Sequence, residues 1–139
     1  MTRIFIKFSW YTELMFQIEI KKKFNAYQGL KSPVRNAKGL SSLVDDNGFS
    51  VTMTVGIQFE EAQLNERGWF VDTDAMDDVV DECVKYLASD KWTVLFEFRP
   101  TFELVAKWSF DNLAEKIPQL VYIELNNATI DVSTRYTTH

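Results

Sequence analysis

The chain has 139 residues, of which 46% are hydrophobic and 14% aromatic, which is enough apolar surface for one folded domain over residues 1–139 and argues against disorder. Its single cysteine excludes an intrachain disulfide and suits a reducing compartment, so we expect a cytoplasmic protein. Charges interrupt the longest apolar runs, and we therefore expect neither a membrane span nor a secretory signal.

The net charge of −5 is unevenly distributed. Residues 1–40 carry eight Lys or Arg and two Glu, whereas residues 41–139 carry seven basic and eighteen acidic residues. A protein that binds nucleic acid usually has one dominant basic face, and only Lys21–Lys23 resembles one here, so no nucleic-acid partner is expected. The asymmetry instead suits self-association, with the basic segment of one copy against the acidic segment of another.

Alternation of apolar and polar residues predicts strands in the first part of the chain. An N-terminal strand segment is expected at 4–10, and a second strand runs from Phe16 to Phe24. A loop at 28–48, rich in Gly, Ser, Asn and Asp, is long for a compact domain. The cleanest alternation, at 51–59, predicts an antiparallel strand with one buried face.

Helical spacing appears in the second part of the chain, after a turn signal and a short apolar run at 65–71. One amphipathic helix is predicted from the caps at 72–74 to about Ser89. After a connector at 90–98, a second helix is expected from about Thr101 to Ile117, because Thr101 is a good N-cap and Pro118 ends the helix. Two strands, near 119–126 and 129–137, close the chain, and Asn126-Asn127 is predicted to form the turn between them.

The order of these elements, strands followed by two helices and two more strands, predicts an α+β domain with both helices packed on one face of an antiparallel sheet.

Several kinds of chemistry are excluded by composition. The only histidine is His139, so a His-based zinc site, a Ser-His-Asp triad and a Cys-His dyad are not expected. Cys83 lies on the apolar face of the first predicted helix, where a cysteine is usually an inert core residue. The five glycines are scattered and form no phosphate-binding loop.

Carboxylates and one lysine remain as candidate functional groups: Asp72, Asp90, Lys91, Glu103 and Glu124. Glu124 directly follows an apolar run, where a carboxylate is costly unless a group pairs with it. A carboxylate can accept two parallel N–H bonds from a ring that presents an amide beside an amine, as pterins and guanine do. Alternatively, Glu124 caps a turn or pairs with a basic residue across the sheet.

Several stretches of the sequence form one pattern: Met15-Phe16-Gln17-Ile18 through Phe24-Asn25-Ala26-Tyr27-Gln28, Asn47-Gly48-Phe49-Ser50-Val51, Gly68-Trp69-Phe70-Val71-Asp72, Asp90-Lys91, Pro100-Thr101-Phe102-Glu103-Leu104-Val105 and Glu124. In these stretches the chain resembles the 6-pyruvoyltetrahydropterin synthase and 6-carboxytetrahydropterin synthase family, over roughly Met15 to Tyr136. The resemblance implies the tunnelling fold, a four-stranded antiparallel sheet in the order ββααββ with two helices on one face. It also implies that Glu124 stands at the position of the glutamate that anchors the pterin ring in the family.

The departures from the family pattern fall where the family does its chemistry. Gln28, Asn47 and Phe49 stand at the positions of the three zinc-ligand histidines, Leu43 stands at that of the catalytic cysteine, and Lys91 replaces the proton-shuttling histidine. With these groups missing, nothing remains to hold and activate a metal, so neither zinc nor another cofactor is expected.

The resemblance therefore favours a metal-free relative that binds a pterin-like or purine-like ring through Glu124, with Thr101 and Glu103 lining the site. The family's sites lie between subunits and its sheets assemble into a barrel, which implies a homo-hexamer or homo-tetramer. A second hypothesis is a metal-free aldolase or epimerase acting on dihydropterins, in which Lys91 beside Asp90 handles protons if it is buried. A third is a non-catalytic structural or regulatory subunit whose pocket is filled by Phe49 and Trp92.

Overall fold

The computed structural model describes residues 15–31, 37–39, 48–64 and 73–138. The predictions that concern segments 4–10 and 65–72 and residues Leu43, Asn47 and His139 lie outside this part of the chain. The elements of the structure are β1 (Phe16–Ala26), β2 (Phe49–Phe59), a short 3-10 turn (Glu61–Gln63), α1 (Thr73–Leu87), α2 (Trp92–Leu95), α3 (Phe102–Ala114), β3 (Leu120–Asn127) and β4 (Val132–Thr137).

The four strands form one antiparallel sheet in the order β1-β2-β3-β4. Cross-strand partners share a face, and one row of partners runs Ile20, Val55, Ile123 and Tyr136 across all four strands. This row and its alternate neighbours point toward the helices. The α+β architecture with helices on one side of the sheet is therefore confirmed.

The core lies between the sheet and helices α1 and α3. Its fully buried side chains include Met53 and Val55 of β2, Val80 of α1 and Leu113 of α3. The helix α3 begins where the sequence predicts, because Thr101 Oγ1 accepts a hydrogen bond from the Leu104 N–H at 3.2 Å. Helix α1 ends two residues earlier than predicted, and α3 ends three residues earlier, because the buried Ile117 continues the apolar pattern past the last turn of α3.

The connector at 90–98 contains a short helix, α2, which the sequence pattern does not predict. Trp92 is completely buried, and its indole N–H donates to the Leu87 carbonyl at 2.9 Å. Its backbone N–H donates to the Tyr27 carbonyl at 2.8 Å, and that of Thr93 donates to the Gln28 carbonyl at 3.2 Å. Periodicity cannot reveal a four-residue helix whose position is set by such long-range bonds.

The face of the sheet opposite the helices is polar and is called the open face below. Its residues alternate with the core residues along each strand: Glu19 and Lys21 of β1, Thr54 and Gly56 of β2, Tyr122, Glu124 and Asn126 of β3, and Ser133, Arg135 and Thr137 of β4. No helix in the described part of the chain is both long and apolar enough to cross a membrane.

Candidate functional site

Glu124 lies on the open face because its neighbours Ile123 and Leu125 both point into the core. Its partner across the β3–β4 pair is Arg135. The guanidinium donates two hydrogen bonds to the same carboxylate oxygen, Oε1, from Nη2 at 3.0 Å and from Nε at 3.3 Å. The cross-strand ion pair that the sequence left open as an alternative is thus present in the folded chain.

The guanidinium of Arg135 packs against the aromatic ring of Tyr122. The Tyr122 ring covers Gly56, its partner on β2, and its hydroxyl donates to Glu19 Oε2 on β1. The guanidinium carbon of Arg135 lies 4.0 Å from the centre of this ring, which is a cation–π contact. Partial burial, together with the hydrogen bond and charge of Glu19, raises the pKa of Tyr122 from its ordinary value of 10.0 to about 12.

A cavity of about 550 Å³ adjoins this network on the open face. Amide, hydroxyl and charged groups dominate its wall, and Gln17 Nε2 donates to Gln58 Oε1 at 3.3 Å within it. Such a wall can form hydrogen bonds with a small polar molecule, because its side chains supply both donors and acceptors. The lining residues are Gln17, Glu19, Gln58, Val121, Tyr122, Arg135, Thr137 and Thr138.

Thr101 and Glu103 line a different cavity, of about 300 Å³, together with Gln28. Thr134 also lines it, and Thr134 is the cross-strand partner of the buried Leu125, so this cavity opens on the helix side of the sheet. Within one chain the structure therefore brings Thr101, Glu103 and Gln28 together, but it places Glu124 on the opposite face. The other lining residues are Phe102, Asn127, Ile130 and Val132.

The resemblance places zinc ligands at three positions, and two of them, Gln28 and Phe49, are described in the structure. Neither side chain has an imidazole nitrogen that could bind a metal. The side chain of Gln28 is buried, and its amide nitrogen donates to the Pro100 carbonyl at 2.8 Å. Phe49 is buried in an aromatic cluster, with ring centroids 6.0 Å from Trp92 and 5.5 Å from Phe102. A phenyl ring supplies no ligand atom, so these residues do not fit a zinc ion. The described residues also contain no group of three His, Cys, Asp or Glu arranged to hold a metal.

Asp90 and Lys91 lie at the start of α2, away from both cavities. Asp90 Oδ1 accepts a hydrogen bond from the Lys91 backbone N–H at 2.7 Å. Both side chains are exposed, so the burial that the acid–base hypothesis requires is not present in the single chain. Their catalytic role stays a prediction.

Sequence reasoning missed Arg135, Tyr122, Gly56 and Glu19 as parts of one network. The turn was predicted at Asn126-Asn127, whereas β3 runs to Asn127 and the turn occupies 128–131. A turn in the earlier position pairs Glu124 with a different residue of β4, so Arg135 could not be recognised as its partner. The correct signal was Asp131, whose positive φ of 52° is typical of a tight turn.

Comparison with known proteins places this geometry in a family. A search of the curated proteins finds no match. Among solved structures, the chain is similar to 6-pyruvoyl tetrahydropterin synthase of Caenorhabditis elegans, with a TM-score of 0.69 and 16% identity over 90% of this chain and 96% of that one. It is also similar to an uncharacterized protein from Wolinella succinogenes, with a TM-score of 0.56 and 16% identity over 91% of this chain and 99% of that one.

These structural similarities show the shared fold, and a family model adds the evolutionary relationship. The model that describes 6-pyruvoyl tetrahydropterin synthase matches residues 18–138, a range that includes helices α1 to α3, strands β2 to β4 and nearly all of β1. The chain therefore belongs to the 6-pyruvoyl tetrahydropterin synthase family.

Proposed function

We propose that this protein is a zinc-free member of the family that binds a planar, pterin-like or purine-like ring through the carboxylate of Glu124. The observation that carries the proposal is the hydrogen bonding of Glu124, which accepts two N–H donors from the planar guanidinium of Arg135. An amide N–H beside an amine on a heterocycle presents donors of the same kind in one plane.

The surroundings of Glu124 support the same role. The side chain is 24% exposed, so a ring that reaches it displaces little water and meets a partly desolvated carboxylate. Hydrogen bonds to such a charged group are stronger than those between neutral groups. A cavity of about 550 Å³ on the same face is lined by Arg135 and Tyr122, although not by Glu124 itself, and gives room for the substituent of a ring bound at Glu124.

The absence of zinc is part of the proposal, because of what stands at the expected ligand positions. Gln28 uses its amide to hold the Pro100 carbonyl, and Phe49 contributes packing to Trp92 and Phe102. Metal-assisted elimination on the ring would need a metal and an activated nucleophile that these side chains do not supply. Elemental analysis of protein purified without chelators is expected to find far less than one zinc per chain, and stoichiometric zinc would overturn this part.

A homo-oligomer, hexameric or tetrameric, completes the proposal. Within the described residues, β1 and β4 are the two edges of the sheet, and edge strands present unpaired backbone groups to a neighbour. Exposed apolar side chains, Ile130 and Val132, lie at the rim of the Thr101–Glu103 cavity. Because that cavity and Glu124 are on opposite faces of one chain, Thr101 and Glu103 can reach the same ring as Glu124 only from a second copy.

Isothermal titration calorimetry with biopterin and neopterin tests the ring site. Wild type is expected to bind, and Glu124→Gln is expected to weaken binding by at least about 100-fold, because two charge-assisted hydrogen bonds are lost. Glu115→Gln is the matched control, since it removes the same charge from an exposed residue at the end of α3. No heat with wild type, or equal affinities for wild type and Glu124→Gln, would reject the site.

A second candidate function, a non-catalytic structural or regulatory subunit without a small ligand, is favoured by one observation. The rings of Phe49, Trp92 and Phe102 fill the space between the start of β2, α2 and the start of α3, with the centroids of Trp92 and Phe102 5.3 Å apart. Under this alternative both pterins give no heat, native mass spectrometry finds no bound heterocycle, and a tagged chain retains a specific protein partner. A saturable pterin titration excludes it.

A further inference from the structure

Both donors of Arg135 go to one oxygen of Glu124, and this has a consequence for any ligand of the carboxylate. Nη2 and Nε bind Oε1 at 3.0 and 3.3 Å. A ring that presents two adjacent N–H groups needs both carboxylate oxygens. A ring that presents a single N–H needs only one of them, and Oε2 can serve it while Arg135 stays in place.

The position of Arg135 is set by three neighbouring strands rather than by Glu124 alone. Its guanidinium rests on the ring of Tyr122, which in turn covers Gly56 and donates its hydroxyl proton to Glu19. The cation–π contact with Tyr122 therefore helps to hold the guanidinium beside the Glu124 carboxylate. The Arg135 guanidinium therefore already occupies part of the site at which a ring would bind Glu124.

We propose that Arg135 is a built-in competitor that selectively weakens the binding of two-donor rings at Glu124. This inference rests on the proposed function, because it assumes that Glu124 is the ring's anchor. A two-donor ring displaces Arg135 from Oε1 and loses the free energy of the ion pair. A one-donor ring binds Oε2 of Glu124 and leaves the ion pair with Arg135 intact.

The exposure of the pair sets the size of the effect. Arg135 is 49% exposed and Glu124 24% exposed, so the ion pair is a partly solvated one and can be displaced. Displacing a partly solvated ion pair that also has a cation–π contact lowers the affinity of the incoming ligand by roughly tenfold. The competitor therefore tunes the affinity for a two-donor ring without abolishing binding.

Calorimetry with two matched ligands tests the proposal on the full chain. Biopterin carries the amide beside the amine, whereas lumazine has a carbonyl in place of the amine and lacks the side chain of biopterin, so each variant is compared with wild type for the same ligand. Arg135→Met, which keeps an unbranched apolar chain over Tyr122, is expected to bind biopterin roughly tenfold more tightly than wild type. Its affinity for lumazine is expected to change by less than about twofold.

Two further variants separate the loss of the ion pair from misfolding and from a general change in charge. Arg135→Lys keeps the charge but has no planar fork of donors, so its biopterin affinity is expected between those of wild type and Arg135→Met, and it keeps the test valid if the methionine variant does not fold. Lys107→Met removes one positive charge from α3 on the other side of the sheet and is expected to bind both ligands as wild type does.

The outcomes distinguish this inference from the proposed function. Tighter biopterin binding by Arg135→Met with unchanged lumazine binding supports it. Equal gains for both ligands, no gain, or weaker biopterin binding overturns it while the ring site at Glu124 stands, because Arg135 then acts on all ligands alike or simply positions the carboxylate. No heat from biopterin with wild type and with both Arg135 variants overturns the inference and the proposed function together.

Discussion

The ring of Tyr122 lies directly over the α-carbon of Gly56, its partner on the neighbouring strand β2. A methyl group at position 56 would overlap this ring, so Gly56→Ala must displace the tyrosine from Arg135 and Glu19. We expect the free energy of unfolding to fall by about 1–3 kcal/mol, as in other overpacked sites, measured by urea denaturation.

A double-mutant cycle distinguishes this overlap from a general intolerance of alanine in β2. In the background of Tyr122→Leu the space above Gly56 is less filled, and Gly56→Ala is expected to cost less than about 0.5 kcal/mol, since alanine suits a strand better than glycine does. Equal costs in the two backgrounds would contradict the role given to the Tyr122 ring.

The titration of Tyr122 gives a second prediction. Its pKa in the folded chain is raised to about 12, from 10.0, by partial burial and then by Glu19. Between these two values the unfolded chain releases the Tyr122 proton while the folded chain keeps it, so the stabilisation that Tyr122 contributes is fully present below pH 10 and is lost as the pH rises toward 12. Ultraviolet absorbance of tyrosinate should show one late-titrating tyrosine that is absent from Tyr122→Phe and titrates earlier in Glu19→Gln.

Gln28 should matter for stability, although the resemblance places it at a zinc-ligand position of the family. Its amide joins the end of β1 to the Pro100 carbonyl just before α3, inside the protein. Gln28→Ala is expected to lower the free energy of unfolding by about 1–3 kcal/mol, because a buried carbonyl loses its donor. Gln17→Ala, at the exposed start of the same strand, should change it by less than about 0.5 kcal/mol.

Restoring a histidine at position 49 is not expected to restore metal binding. Phe49→His places a polar ring against Trp92 and Phe102, and we expect a loss of about 1–3 kcal/mol in unfolding free energy. Zinc titration followed by mass spectrometry should find no added ion, because Gln28 remains engaged with Pro100. A variant that gains both zinc and stability would show that the site retains its ability to bind metal.

The N-cap of α3 provides a prediction about the Thr101–Glu103 cavity. Thr101→Ala removes the acceptor of the Leu104 N–H and is expected to cost about 1 kcal/mol, whereas Thr101→Ser keeps the hydroxyl and should be close to wild type in a thermal melt. If Thr101 also contacts the ring from a second copy, the alanine variant will bind biopterin more weakly than the serine variant does.

Much of the fold could be predicted because its signals are local. The alternation at 51–59 and the cap at Thr101 each depend on a few neighbouring residues, and β2 and α3 begin close to where those patterns place them. The short helix α2 could not be predicted, because Trp92 is held by the carbonyls of Leu87 and Tyr27, and the second of these is far away in sequence. Long-range hydrogen bonds leave no periodic pattern.

The candidate site was predicted only in part for the same reason. Glu124 stood out because a carboxylate beside a buried strand is costly, and the structure pairs it with Arg135. That partner depends on the register of β3 and β4, which a turn at 128–131 determines. Placing Glu124 with Thr101 and Glu103 required knowing which side of the sheet each one faces, and a linear motif does not contain that information.

The hydrogen bonds beneath α2 have a consequence for the order in which the chain becomes structured. A helix of four residues does not persist alone, so Trp92–Leu95 forms only after the end of β1 is in place to receive its amides. Hydrogen exchange at Trp92 and Thr93 should therefore be as slow as exchange in the central strands and should speed up only when the whole domain opens. The solvent-exposed side chains of Asp90 and Lys91 are thus attached to a backbone segment whose order depends on contacts with the rest of the domain.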